Sequence, residues 1–417
     1  EILDLIIQAV TDPQKSEPID TRLRSVLGRR LLELLRAEVI SDNHDWNSSL
    51  IMEDGRYRIA STGVSPDSIV MDRKEQLADF IRKLDSESWG VLLVYPAPIT
   101  SMLGIDYNGI IQGMGSLNNL ILDARPVDTL GDWLAGYREL VELLARRLPL
   151  ENAQMEPDSL GIVGYLYDRN EGDHRANLQE MERLLAMVGL DVASIWLSGR
   201  PTGHLARISR ASTLIALPGG EEAARLLAER TGASVVKTRL PVGPQGTLEW
   251  LKEILRGMGR DDTLSRELLL ETREVYELLT KPVLGVLSGQ TVVLAGEPVL
   301  TLALVDMFKE FGMDVAWAAV NGRFPIPKGH EKTLVVPDLG ALREAMEATA
   351  ASTMAPLLIG NERAMAVSRG LEMVPVSLGF QSGGIHELLD APFLGLKGTL
   401  NLVQKMANAV TLYTMRK

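Results

Sequence analysis

An α/β chain of three tandem Rossmann-like, parallel-sheet domains is what the sequence predicts, and three observations carry that expectation. Short uninterrupted apolar runs, among them residues 91–94 and 291–295, are strand-length and read as strands buried on both faces. Between such runs lie stretches with apolar residues three and four apart, the pattern of crossover helices on a parallel sheet. No period of fixed length recurs, so the units are domains and not turns of a solenoid.

The first domain, residues 1–153, shows the pattern least clearly. Helices are expected at 22–37, 73–84 and 130–147, with a buried strand at 90–95. In the middle domain, 154–285, a strand at 160–166 leads into a helix at 177–188, where Leu178, Met181, Leu184, Leu185 and Val188 share one face. Strands follow at 192–197, 213–217 and 234–238, with helices at 202–208, 221–230, 247–255 and 264–279. Gly232 stops the helix at 221–230, as a left-handed C-terminal position requires. Pro241, Gly243, Pro244 and Gly246 mark a loop. The last domain, 286–417, repeats the alternation with strands at 291–295, 314–318, 333–336, 356–359 and 374–378, and helices at 299–311, 339–348 and 361–368. A final amphipathic helix over 400–413 puts Leu400, Val403, Met406, Val410 and Tyr413 on one stripe, expected to pack back on the first domain or to serve an oligomer contact.

Composition limits the function classes. At 417 residues, 46% apolar and 24% charged, the chain has ample material for several cores. A net charge of −12 argues against a nucleic-acid surface, which needs clustered Lys and Arg. No apolar run approaches the roughly 20 residues of a spanning helix, and residues 1–8 carry no basic leader region. A cytoplasmic protein with neither membrane nor nucleic-acid partners is therefore expected. There is no cysteine anywhere, which excludes disulfides and thiolate ligands together. Five histidines without a spaced pair give no support to a zinc or non-haem iron site.

Several short motifs have chemistry to offer. Gly296-Glu297-Pro298 and Gly360-Asn361-Glu362 place helix N-termini at strand ends, where backbone N–H groups hold anions, although neither is a dinucleotide or Walker loop. Asn361 is expected to act as a helix cap. Arg200, in Gly199-Arg200-Pro201-Thr202-Gly203, adds a cation to a tight turn and is a candidate contact for an acidic cofactor. His204 reads as structural. His386, in Ser382-Gly383-Gly384-Ile385-His386-Glu387, is a candidate ligand or substrate contact. The charge-rich run 260–274 alternates in sign and reads as a solvated helix face.

Ordered landmarks along the whole chain resemble those of the nitrogenase component 1-type oxidoreductases, a family that includes nitrogenase subunits, cofactor-assembly scaffolds and protochlorophyllide reductases. These are Arg58-Ile59-Ala60-Ser61-Thr62-Gly63-Val64, Pro96-Ala97-Pro98-Ile99 with Ser101-Met102-Leu103-Gly104-Ile105-Asp106, Leu217-Pro218, Leu240-Pro241-Val242-Gly243, and Asp390-Ala391-Pro392-Phe393-Leu394-Gly395-Leu396-Lys397-Gly398. The resemblance implies three Rossmann-like domains, a paired homologous subunit in a hetero- or homo-oligomer, and an ATP-dependent iron–sulfur reductase as electron donor. It also implies cluster cysteines, and here the sequence departs: Ser48 or Ser49, Ala60 or Ser61, and Ala97 or Pro98 stand near the positions where the family carries them, with Ser48, Ser61 and Ala97 taken as the candidates. By analogy with the branch that uses an aspartate, Asp45 or Asp54 is an alternative ligand. Two expectations follow. In one, the chain is a subunit of a two-component reductase, holding no cofactor by itself and facing an iron–sulfur cluster supplied by its partner. In the other, it is a cluster-free scaffold or binding protein for a tetrapyrrole or metallocofactor. The surroundings of Ser48, Ser61 and Ala97 separate the two, with Arg200 and His386 as the remaining candidate cofactor contacts.

Overall fold

The computed structural model describes residues 52–53, 56–57, 74–86, 90–95, 105–124, 133–166, 171–321, 324–336, 338–380, 382 and 385–416. The chain divides into two units, Glu1–Leu84 and Asp85–Lys417. In the first, β1 (Met52–Glu53) and β2 (Arg56–Tyr57) form an antiparallel pair, and α1 (Lys74–Asp85) occupies the helix expected at 73–84. The expected helix at 22–37 lies outside the described residues.

Among the described residues the second unit contains three sheets, all parallel. The smallest pairs β3 (Val91–Val94) with β4 (Leu120–Asp123) through the short helix α2 (Tyr107–Gly113). Neither α2 nor β4 is anticipated by the sequence pattern. A seven-residue helix with two glycines has little intrinsic helicity, and β4 holds only three apolar residues, Leu120, Ile121 and Leu122, between Asn119 and Asp123. Asp85 organises the entry to this pair. Its carboxylate accepts from the backbone N–H groups of Asn118 and Asn119, at 2.9 and 2.8 Å, while Asn119 Oδ1 accepts from Gly90 N. Burial opposes the charge on Asp85, yet these donors hold its pKa below the usual carboxylate value. Helix α3 (Trp133–Arg147) follows.

The four-stranded sheet has the order β6-β5-β7-β8, from β5 (Glu156–Val163), β6 (Asp191–Ile195), β7 (Ala211–Ala216) and β8 (Ser234–Lys237). Helix α4 (Gly172–Ala186) crosses from β5 to β6, α5 (Thr202–Ala206) precedes β7, and α6 (Glu221–Thr231) precedes β8. Gly232 caps α6 with φ +81°, as its position after the last periodic residue requires. Leu144, Trp196, Leu214 and Leu227 bury the contact of α3 and α6 with this sheet. Next come α7 (Pro244–Gly257) and α8 (Arg266–Pro282), the latter running into a single π turn at Val283–Leu287. Helix α7 begins inside the expected loop, because Pro244 takes the first helical position, where its missing N–H costs nothing.

The five-stranded sheet has the order β11-β10-β9-β12-β13, from β9 (Val292–Gly296), β10 (Val315–Val320), β11 (Thr333–Val335), β12 (Leu357–Gly360) and β13 (Val374–Ser377). Its helices are α9 (Pro298–Glu310), α10 (Leu339–Ser352) and α11 (Glu362–Val367). A continuous apolar core joins the two larger sheets through Leu160, Trp250, Leu268, Phe308 and Leu402. The last helix, α12 (Gly395–Arg416), begins five residues before the expected 400 and buries Leu402, Val403, Met406 and Val410. Its strongest contacts among the described residues are with α8, the π turn, α4 and β13.

In each larger sheet the strand order reverses once, between β5 and β7 and between β9 and β12. Loops leaving neighbouring strands at such a point diverge to opposite faces and open a crevice, where ligands of open α/β sheets bind.

Candidate functional site

The segments 164–166 and 217–220 leave the four-stranded sheet at its reversal; Glu297 and Asn361 leave the five-stranded sheet at its own. A small cavity lies between the two points, lined by Tyr165, His174, Glu297, Leu300, Phe380 and Phe393. Its open space of about 20 Å³ suffices for one water. Gly164 makes the turn possible. Its φ is +103°, and a Cβ there would sit 2.6 Å from the carbonyl oxygen of Leu217.

Tyr165 and His174 form the polar centre of the cavity wall. The Tyr165 hydroxyl lies 3.2 Å from His174 Nδ1, and the rings of Tyr165 and Phe393 both meet the imidazole edge to face. Asn177, one turn along α4 and wholly buried, accepts from the backbone N–H groups of Phe393 (2.8 Å) and Leu394 (3.0 Å). It thereby fixes the segment leading into α12. Across the cavity, Glu297 caps α9, accepting from Val299 N and Leu300 N at 2.7 and 2.5 Å. The helix N-terminus that the sequence marks as an anion site is thus filled by the chain's own carboxyl group. Burial pushes the pKa of Glu297 up to about 7, although both backbone donors work against the rise. A carboxyl group so placed exchanges its proton near neutrality, the property a general acid or base needs. Asn361, at the second strand end, is a plain cap: its Oδ1 accepts from Ala364 N at 3.1 Å.

At the N-terminus of α4, His386 Nδ1 lies 2.7 Å from Glu171 Oε1, and Glu171 Oε2 accepts from Glu387 N. Gly172 donates to the carbonyl of Glu387 at 2.6 Å, an approach that leaves no room for a Cβ. His386 therefore stands half-exposed, against the helix that carries His174. Arg200 sits elsewhere, after β6, where its guanidinium makes a two-pronged pair with Glu182 of α4 at 2.8 and 3.0 Å. Beside it His204 Nε2 accepts from Ile195 N at 2.9 Å, which fixes a neutral ring. Burial, with Arg200 and Arg207 nearby, depresses its pKa to about 4, as a structural role requires. The structure brings Arg200 to His204 and His386 to Glu171. Ser48, Ser61 and Ala97 lie outside the described residues. Tyr165, His174 and Asn177, which residue motifs alone did not single out, form a constellation with Glu297 of the marked Gly296-Glu297-Pro298 turn.

The profile of the family described as nitrogenase component 1 type oxidoreductase matches residues 43–411. The chain belongs to that family. It is 22% identical over 315 residues to the nitrogenase molybdenum-iron protein beta chain of Frankia alni, an alignment covering 67% of this chain and 58% of that relative. This chain thus spans little more than half the length of the relative. Two solved structures, of nitrogenase Cp1 at pH 6.5 and at pH 5, share the fold, with TM-scores of 0.69 and 0.59 and 16% identity in both. They cover 85% and 87% of this chain, which matches 82% and 79% of theirs.

For a nitrogenase component 1-type protein the donor set is unusual. A cysteine-ligated iron–sulfur cluster needs thiolates, and the sequence has none. Among the described residues no group of three or more His, Asp or Glu side chains is arranged to hold a metal ion. The two imidazoles near the strand ends already meet Tyr165 and Glu171. These residues do not fit a cysteine-held cluster. Among the described residues, no helix is long and apolar enough to cross a membrane.

Proposed function

We propose that this chain is a cytoplasmic nitrogenase component 1-like subunit of a two-component reductase, working beside a homologous subunit that carries the iron–sulfur cluster. The observation that carries this reading is the conjunction of a family match over residues 43–411 with a sequence free of cysteine. The fold is kept and its thiolate ligands are gone. An ATP-dependent iron–sulfur reductase delivers electrons to the partner's cluster, and this chain contributes shape, hydrogen bonding and part of the substrate cavity. In this reading residues 1–153, 154–285 and 286–417 are the three domains. Ser48, Ser61 and Ala97 line the face toward the partner's cluster, while Arg200 and His386 approach the bound cofactor or substrate. Glu297, with a pKa near neutrality, is placed to hold or release a proton at the strand ends.

One observation favours a second reading, a scaffold or binding protein for a tetrapyrrole or metallocofactor. The sequence has no thiolate with which to ligate a cluster of its own. Anaerobic co-expression with homologous cysteine-bearing subunits, followed by gel filtration and an absorption spectrum, separates the two. A stable complex with the broad visible absorption of an iron–sulfur cluster supports the reductase subunit. A lone chain carrying a Soret band, with no partner retained, overturns it in favour of the second reading.

A further inference from the structure

Beside the cavity at the strand ends lies a wider cleft of about 400 Å³, between the ends of β7 and β8 and one face of α9. That volume falls within the range of small-molecule sites. Its apolar wall includes Leu240, Val299, Leu302 and Phe324. Two polar groups in its lining are buried without a hydrogen-bond partner, Thr238 Oγ1 and His330 Nδ1. Both side chains are more than nine-tenths buried. A folded protein rarely leaves such groups unsatisfied, because each has given up water for nothing in return.

The charges of the cleft complete the picture. Arg239 is paired with Glu253 at 2.8 Å and Asp306 with Lys309 at 3.8 Å, while His330 Nε2 lies 3.4 Å from the same Asp306 carboxylate. Lys237, at the end of β8, makes no ion pair with any described residue. One cation is thus left over at the mouth of an apolar cleft that also holds an unpartnered hydroxyl and an unpartnered ring nitrogen. We infer that this cleft binds a small organic molecule with an apolar body and a single carboxylate, the carboxylate meeting Lys237 and accepting from the buried Thr238 hydroxyl, with His330 Nδ1 left to face a donor elsewhere on the molecule. A single uncompensated positive charge suits one carboxylate better than a phosphoryl group, which calls for several cations or a helix N-terminus. This inference stands apart from the reductase reading, since no cluster, electron donor or partner subunit enters it.

Isothermal titration calorimetry on the purified full chain tests it, with naphthoate, the uncharged naphthylmethanol and inorganic phosphate as probes. Saturable binding of naphthoate is expected, with both other probes weaker by about tenfold or more. Lys237→Ala, on an exposed residue that leaves the fold intact, is expected to weaken naphthoate about tenfold, and Thr238→Val to weaken it by a smaller factor. No saturable naphthoate binding up to about 10 mM, naphthylmethanol binding as well as naphthoate, a preference for phosphate, or an unchanged affinity in Lys237→Ala each overturns the assignment.

Discussion

Glu297 shows how one residue couples the fold to the site. It replaces the anion that a helix N-terminus would otherwise attract, and pays in desolvation what it gains in backbone hydrogen bonds. Its folded pKa of about 7 lies above the ordinary 4.5, so the folded state holds the proton more tightly than the unfolded chain. The stability linked to that proton is present below about pH 4.5 and is lost as the pH rises through 7, by about 3 kcal/mol in all. Glu297→Gln, which keeps one of the two capping oxygens but cannot ionise, is expected to remove that loss. Unfolding by urea between about pH 5 and pH 8 measures it; equal slopes in variant and parent would contradict the assignment. His204 works in the opposite sense, its lowered pKa making stability fall as the pH drops from 6.5 toward 4, so the comparison must be made between variants and not from the parent curve alone. Asn177 is the second residue on which the site depends. Asn177→Leu orphans the N–H groups of Phe393 and Leu394 and is expected to cost about 2–4 kcal/mol, read from the same urea curves.

At the scale of elements, α4 is the hub. Arg183 on this helix makes four nitrogen–oxygen contacts of 2.7–2.8 Å, two to Glu180 within α4 and two to Glu271 that join α4 to α8. Glu180, almost wholly buried, also accepts from Lys397 N at the start of α12. Removing the cation leaves that buried carboxylate with a backbone donor only, so Arg183→Met is expected to destabilise the fold by about 2–4 kcal/mol. Glu271→Gln, on the more exposed arm, is expected to cost about 1 kcal/mol or less. Equal thermal shifts for the two variants would contradict this ranking. The same helix explains where sequence reading stops. Apolar periodicity places most strands of the two larger sheets within two residues and Gly232 at its cap, because buried strands and helix stops are local signals. It places the start of α4 five residues late, since Gly172, Asp173, His174 and Ala176 do not extend the stripe. These residues are nonetheless buried, on partners such as Tyr165, Phe393 and the 387–389 segment. Polar contacts to residues more than 200 positions away leave no local pattern, so Asn177 and Glu171 were not legible as site-forming residues.

For the whole molecule, the two larger parallel sheets meet through one apolar core, and their two order reversals leave loops that line a common cavity. That arrangement was legible as a fold class from short apolar runs alternating with helices. The positions named from the family resemblance, Ser48, Ser61 and Ala97, are legible only as substitutions, because the chemistry they would face belongs to another subunit in the proposed assembly. In the proposed assembly this thiol-free chain relies on its partner for the cluster, whereas in the second reading no cluster enters. Iron and acid-labile sulfide, quantified anaerobically in the lone chain and in its co-purified complex, decide between these most directly. Iron and sulfide present in the complex and absent from the lone chain are the predicted result; their absence from both preparations would contradict the account.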